Sequence, residues 1–160
     1  IAFINAGGIR ASIPKGWITK ADILAVFPFD NYICTIMLEG KEIKQMLEKS
    51  VSLYPSLNGG LLHVSGIKYS FDAGRNIGNR IIKIDINGQE IIDDKEYEVG
   101  INTFMAAGGD IYDELKSKPI KKKYKLIGQA LEEFIREKKH ISYRKENRII
   151  AVKDDIELAY

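Results

Sequence analysis

Apolar residues recur at two spacings along the first half of the chain, one typical of strands and one typical of helices. Short apolar runs at residues 1–4 and 32–38 predict strands, and the second run is rich in Ile, Thr, Tyr and Cys. Between them, Thr19 and Asp22 resemble a capping box that opens a helix over residues 21–26. Strands that alternate with helices in this way are typical of a mixed α and β domain.

Two longer helices are predicted from amphipathic spacing. The first follows Gly40, and its apolar stripe consists of Ile43, Met46, Leu47 and Val51. The second is predicted over about residues 126–138, with apolar residues on one side and charged residues on the other.

Strand patterns dominate the second half. Residues 67–71 alternate apolar and polar positions, which predicts a strand with one solvated face. Residues 81–86 predict another strand, and Asn87-Gly88 is a strong hairpin signal that returns the chain into residues 90–92. A further strand is predicted at residues 97–102.

Length and charge narrow the possibilities. The chain has 160 residues, of which 45% are hydrophobic and 29% charged, so we expect a single globular domain over residues 1–160. Its net charge of +2 is too small to indicate nucleic acid or an anionic membrane as a default partner. No apolar run approaches the ~20 residues that cross a bilayer. Because Ile1 stands directly within a strand pattern, we expect the chain to be a piece of a longer protein.

The sequence carries few residues suited to catalysis. His63 and His140 lie far apart without a second His or Cys at ligand spacing, so no metal site is predicted. Cys34 stands in the middle of a predicted strand, where a buried and unreactive thiol is expected, and a lone cysteine forms no internal disulfide. The phosphate-binding loop, the dinucleotide fingerprint and the nucleophile elbow are also absent from the sequence. These features favour a binding domain over a catalytic one.

Candidate binding residues cluster in two loops that contain a glycine pair. The first loop places Asn5, Gly7, Gly8 and Arg10 within six residues. An amide, bare backbone and a guanidinium together suit an oxygen-rich ligand.

Aromatic residues accompany both loops. Phe29 follows Pro28 at the end of a predicted helix, and Phe104 precedes Asp110 in the second loop. Two rings can hold a flat base by stacking, at ~1–3 kcal/mol per base, while the carboxylate accepts hydrogen bonds from ribose hydroxyls. Taken singly, each ring also fits a place in the core, and each glycine pair fits a plain turn.

Six segments resemble the C-terminal domain of the 5′-nucleotidase family, and they occur in that family's order. The segments are residues 5–10, 16–19, 27–31, 38–40, 64–66 and 104–110. The similarity extends from Ile1 to about residue 150. The resemblance implies an α+β fold with mixed or antiparallel sheets and flanking helices, layered α/β/β/α.

The resemblance also implies a division of labour between two domains. An N-terminal metallophosphoesterase domain, outside this chain, would carry two divalent metal ions and hydrolyse nucleoside 5′-monophosphates or related nucleotide esters. This chain would hold no cofactor, would bind the nucleotide or nucleoside, and would be inactive by itself. Family members usually act outside the cytoplasm, so a periplasmic, cell-surface or secreted location is expected.

Individual residues match the family's site positions. Phe29 and Phe104 match the rings that flank the base, and Asp110 matches the acceptor for the ribose hydroxyls. The polar positions around the base, ribose and phosphate are matched by Asn5, Arg10 and Asn31, with Gly7 and Gly8 between the first two. Ile111 departs from the pattern, because many relatives have a further glycine there.

Two other function classes remain open. A non-catalytic nucleoside-binding or surface interaction module can share this fold, and the sequence upstream of the chain would distinguish the two. The run Lys121-Lys122-Lys123 suggests a nucleic-acid binder, although so short a basic run is more typical of a solvated loop.

Overall fold

The computed structural model describes the backbone of residues 1–153 and 156–159 and the side chains of residues 1–152. Their strands form two five-stranded sheets. The strands are β1 (Ala2–Asn5), β2 (Tyr32–Glu39), β3 (Leu62–Ser65), β4 (Lys68–Asp72), β5 (Ile81–Ile86), β6 (Gln89–Glu90), β7 (Glu96–Asn102), β8 (Lys122–Leu126), β9 (Ile149–Lys153) and β10 (Ile156–Ala159). The α-helices are α1 (Lys20–Val26), α2 (Gly40–Ser50), α3 (Thr103–Ala106) and α4 (Ile127–Lys138), and 3-10 turns lie at Ala6–Gly8 and Asp113–Ser117.

The first sheet brings several loops to one edge. Its order is β3-β1-β7-β2-β8, with β1 and β7 parallel and the other neighbouring pairs antiparallel. The C-terminal ends of β1, β7 and β8 therefore lie beside the N-terminal ends of β2 and β3. We call this side of the sheet the site edge.

The second sheet has the order β10-β9-β4-β5-β6. Strand β4 pairs parallel with β9 and antiparallel with β5. The predicted hairpin turn joins β5 to β6, with Asn87 at φ 55° and Gly88 at φ 82°. Positive φ at both residues is what this class of tight hairpin requires, which is why Asn-Gly is favoured there.

Helices α1, α2 and α4 differ in what stabilises them and in what they contact. The predicted capping box of α1 is present, because Thr19 and Asp22 bond reciprocally across the first turn. Helix α2 contacts strands of both sheets, and it buries Ile43, Met46 and Leu47. Helix α4 packs against α1 and leaves its apolar side only half-buried.

One hydrophobic cluster extends through both sheets. Phe3, Ile36 and Val99 line the first sheet, and Phe71 and Ile84 line the second. The cluster explains the apolar alternation of the predicted strands, since these positions face inward.

The predicted fold class is confirmed: the chain has two mixed sheets and few helices. Sequence patterns did not predict β3, β8, β9, β10 or α3, and β6 covers only Gln89–Glu90 instead of residues 90–92. Two of the three lysines of the basic run lie in β8, at the margin of the first sheet, and not in a loop. Within the described residues, no helix is long and apolar enough to span a bilayer.

Candidate functional site

All the candidate binding residues lie at the site edge or in the loops just beyond it. Asn5 ends β1, and Gly7, Gly8 and Arg10 follow it. Phe29 and Asn31 directly precede β2. Phe104 lies in α3, which continues from β7, and Asp110 follows that helix. The sheet topology thus places segments that are a hundred residues apart in sequence at one edge.

A chain of hydrogen bonds runs through the centre of this edge. Asn5 is buried, and its Nδ2 donates to Oδ2 of Asp110 over 2.7 Å. Asn102, also buried, donates from Nδ2 to Oδ1 of Asn5 over 2.8 Å. Its own Oδ1 accepts from the backbone N–H of Met105 over 2.7 Å. Both buried side-chain amides are therefore satisfied, as buried polar groups need to be.

The first glycine loop, residues 6–10, is fixed by backbone contacts. The N–H of Gly7 donates to the carbonyl of Gly59 over 2.8 Å, and that of Arg10 donates to Val26 over 2.9 Å. A Cβ at Gly7 would lie 3.3 Å from the Cα of Gly59, so the two chain segments approach closely. The Arg10 side chain is exposed and its guanidinium lies 3.4 Å from the carbonyl of Gly7.

Phe29 lies on a short segment that is tied down on both sides. The N–H of Asn31 donates to the carbonyl of Phe29 over 2.8 Å, and Ile127 donates to the carbonyl of Asn31 over 3.0 Å. The ring is 53% exposed. Its inner side lines a cavity of about 10 Å³ together with Gly8, Asn31 and Asn102, which is room for no more than one water molecule.

Phe104 is supported by the last glycine loop, residues 107–110. A Cβ at Gly109 would lie 2.4–2.6 Å from three atoms of the Phe104 ring, so the ring rests directly on bare backbone. The ring stays 43% exposed and does not line the small cavity beside Phe29. Both aromatic residues are therefore partly exposed to solvent instead of buried in the core.

The site edge carries no nucleophile or metal site among the described residues. Cys34 is fully buried in β2, and its burial raises the pKa of the thiol, with nearby Lys123 opposing the shift. The expected burial of this thiol is confirmed. No group of three or more His, Cys, Asp or Glu among the described side chains could hold a metal ion.

Comparison with known proteins assigns the family. The family model described as "5′-nucleotidase, C-terminal domain" matches residues 1–117. The chain belongs to this family. The resemblance stated from the six segments is therefore confirmed.

Relatives of this 5′-nucleotidase C-terminal domain include curated proteins from bacteria and snakes. The trifunctional nucleotide phosphoesterase of Bacillus subtilis is 40% identical over 117 residues, which cover 70% of this chain and 8% of that protein. The snake venom 5′-nucleotidase of Crotalus adamanteus is 34% identical over 128 residues, covering 72% of this chain and 22% of that protein. The chain thus spans less than a quarter of the length of either relative.

A solved structure shares the fold of the domain. The 5′-nucleotidase precursor of Thermus thermophilus superimposes with a TM-score of 0.88 at 34% identity, over 94% of this chain and 31% of that one. The similarity covers both sheets, since it includes nearly every residue of the chain.

Two parts of the edge were missed by sequence analysis. The strand pattern at residues 97–102 identifies Asn102 only as the last residue of a strand. The middle glycine loop, residues 58–60, contains a third glycine pair of the chain, and its Asn58-Gly59-Gly60 pattern was the available signal. Tyr112 fixes this loop, because its buried hydroxyl donates to the carbonyl of Gly60 over 2.5 Å. A Cβ at Gly59 would lie 3.5 Å from Oδ1 of Asp110, so the loop borders the carboxylate.

Proposed function

We propose that this chain is the nucleotide-recognition domain, spanning residues 1–160, of a two-domain phosphohydrolase that removes phosphate from nucleoside 5′-monophosphates or related nucleotide esters. The observation that carries the proposal is the pair of half-exposed rings, Phe29 and Phe104, at the same sheet edge as a carboxylate on a buried amide. Aromatic rings that remain exposed beside polar groups can stack on a ligand with a flat face.

The rings supply the contact with the base. Phe104 is backed by Gly109, and Phe29 is tied down through the backbone bonds of Asn31 and Ile127, so neither ring needs much ordering when a base stacks on it. Stacking uses the π-face that every base has, and so we expect the site to accept several bases.

The carboxylate supplies the contact with the sugar. Asp110 accepts one hydrogen bond from Asn5 at Oδ2, and an ionised carboxylate has room for about four. Asp110 itself is exposed, so ribose hydroxyls can reach it from solvent. The exposed guanidinium of Arg10, in the adjoining loop, suits the negative charge of the phosphate.

Phosphate ester cleavage is assigned to the other domain. The described residues do not fit two divalent metal ions, because no cluster of metal-ligating side chains occurs among them. A two-metal centre would supply hydroxide and stabilise the leaving oxygen from outside this chain. We propose an extracytoplasmic location, which is supported by relatives named as venom enzymes.

The basic run does not favour a nucleic-acid interface. Lys121 forms an ion pair with Glu98, 2.7 Å apart. The ammonium of Lys123 lies 3.7 Å from the centre of the Tyr32 ring, and that of Lys122 lies 4.7 Å from the Tyr124 ring. These cations already have partners on the surface of the domain, so a phosphate backbone would have to displace them.

Kinetics of ring variants in the full-length protein test the proposal. Replacing both rings, Phe29→Ala and Phe104→Ala, is expected to raise KM for adenosine 5′-monophosphate by about 30-fold or more, from ~1–3 kcal/mol of stacking per ring. Tyr143→Ala is the matched control, because it removes a 70% exposed ring that lies between α4 and β9.

The outcomes separate the function classes. An unchanged KM in the double ring variant would remove base stacking as the function of this edge. Saturable nucleotide binding by the full-length protein without phosphate release would instead favour a non-catalytic nucleoside-binding module.

A further inference from the structure

Asn102 connects the two halves of the proposed nucleotide site. Its side chain is 2% exposed, with Oδ1 on the N–H of Met105 and Nδ2 on Oδ1 of Asn5. Asn5 in turn donates a hydrogen bond from its Nδ2 to Oδ2 of Asp110. Because both amides are buried, water does not compete for these bonds.

The direction of this chain of bonds is fixed at both ends. The backbone N–H of Met105 can only donate, and the carboxylate of Asp110 can only accept. Oδ1 of Asn102 must therefore face Met105, and its Nδ2 must face Asn5. Asn5 is then forced to turn Oδ1 toward Asn102 and Nδ2 toward Asp110. Rotating either amide would set two donors or two acceptors against each other.

The same residue also holds the helix that carries Phe104. The bond from Met105 to Oδ1 of Asn102 is the N-cap of α3, which has only four residues. So short a helix has little stability of its own, and it therefore depends on its N-cap. Thr103 adds a second tie, because its hydroxyl accepts from the N–H of Tyr32 over 3.1 Å.

We propose that Asn102 is a positioning residue for nucleotide recognition, which sets the amide of Asn5 and through it holds Asp110 ready for the ribose hydroxyls. This inference rests on the proposed function. The effect of Asn102 on the sugar runs through Asn5 and Asp110, whereas its effect on the base runs through the cap of α3. The two effects can be separated by choice of substitution.

Two variants make that separation. Asn102→Asp keeps the shape and an oxygen for the Met105 N–H, but it sets an acceptor against Oδ1 of Asn5. If the Asn5 amide rotates to relieve this contact, its Oδ1 faces the carboxylate of Asp110 instead. Two acceptors then still face each other, between Asn5 and Asp110 instead of between residue 102 and Asn5. Asn102→Ser keeps a good N-cap residue and is too short to orient Asn5.

The readout is discrimination between ribose and deoxyribose in the full-length protein. We would measure kcat and KM for adenosine 5′-monophosphate and for its 2′-deoxy and 3′-deoxy forms. Asn102→Asp is expected to raise KM for the ribonucleotide about tenfold, with kcat within about twofold, since a lost charge-assisted bond changes binding on this scale. The preference for ribose should fall to that of Asp110→Asn, and the double variant should show no further fall. A loss of folded protein would lower kcat for all three substrates alike, so it would leave the preference unchanged.

Each outcome decides between the proposals. Phe104→Ala should raise KM for ribo- and deoxynucleotides alike, which tests the proposed function alone. If it does so while Asn102→Asp and Asn102→Ser keep the full preference for ribose, the positioning role is wrong and nucleotide recognition stands. If the unaltered protein does not distinguish the sugars, Asp110 does not read the ribose and the inference fails with it. If the unaltered protein neither binds nor hydrolyses nucleotides, both proposals fail. Asn102→Ser serves as the folded test case should Asn102→Asp melt below the assay temperature.

Discussion

The first and last glycine loops have the same sequence pattern and different physical reasons for it. The first loop directly follows the buried Asn5 at the end of β1, and the last loop follows α3, which begins after the buried Asn102 at the end of β7. Strands β1 and β7 are parallel neighbours. In the first loop, Gly7 allows backbone to approach backbone, with Gly59 opposite it. In the last loop, Gly108 lies at φ +80° and Gly109 makes room for the ring of Phe104.

The two glycine pairs, Gly7-Gly8 and Gly108-Gly109, differ in the part of the site that each one supports. The first pair brings loops together, and the backbone N–H of Gly7 has its partner in the middle glycine loop. The last pair shapes the position of one aromatic ring, and one of its members also adopts a backbone conformation that favours glycine. Replacing glycine by alanine is therefore expected to affect nucleotide binding at Gly109 and the stability of the domain at Gly108.

Among the glycine variants, the largest effect on binding is expected at Gly109. In Gly109→Ala the new Cβ would lie within 2.6 Å of three ring atoms, so the Phe104 ring must swing away. Because the ring is half-exposed, it can move outward without opening the core. We expect KM for nucleotides to rise about tenfold, equal to the loss of one stacked ring, with little change in melting temperature. Adding Phe104→Ala to this variant should raise KM no further, and a further rise would show that the ring had kept its place.

Gly108→Ala should instead act mainly on stability. The residue lies at φ +80°, where a side chain costs about 1–2 kcal/mol. The new Cβ would also meet the aliphatic chain of Lys116 at 2.5 Å, but that side chain is flexible and exposed and can yield. Thermal denaturation is expected to show a melting temperature lower by roughly 2–8 °C for a domain of this size. A variant with normal stability and a tenfold higher KM would reverse the assignment of the two glycines.

Gly128→Ala provides the contrast outside the loops. Gly128 lies in the first turn of α4, where a Cβ would meet nothing closer than Ile23 at 4.0 Å. Alanine is favoured over glycine in a helix by about 0.5–1 kcal/mol, so this variant should melt a few degrees higher. Should it melt lower, the loss in Gly108→Ala could no longer be attributed to backbone conformation alone.

The sequence predicted the outer residues of the site but not Asn102, the buried residue at its centre. Phe29, Phe104 and Asp110 were predicted as site residues because rings and a carboxylate beside glycines suit a ligand and because their segments resemble those of the family, and the sheet order does bring them to one edge. Asn102 could not be found in the same way, since an asparagine at the end of a strand looks like an ordinary boundary. Its role depends on a partner 97 residues away, and no local pattern encodes such a pairing.

The same limit explains why β8 was missed. Strand β8 (Lys122–Leu126) consists mostly of exposed residues. Its sequence therefore lacks the alternation of apolar and polar residues that predicted β4. Its place in the sheet comes from pairing with β2, which is a tertiary contact. The capping box of α1 and the Asn87-Gly88 turn were predicted correctly because their physics is local.

The smallest effect on binding is expected at Gly8. A Cβ there would lie 3.0 Å from Oδ1 of Asn5, so the amide must give by a few tenths of an ångström. Oδ1 is the atom that accepts from Asn102, and a small shift weakens that bond without breaking it. We expect Gly8→Ala to raise KM about threefold and to lower the preference for ribose slightly, as a partial loss of one hydrogen bond would. Gly7→Ala is the matched control, because its Cβ would meet the backbone of Gly59 at 3.3 Å before it reaches Nδ2 of Asn5 at 3.5 Å. If the two variants change the preference for ribose equally, the first glycine loop acts as a rigid unit and not through the Asn5 amide.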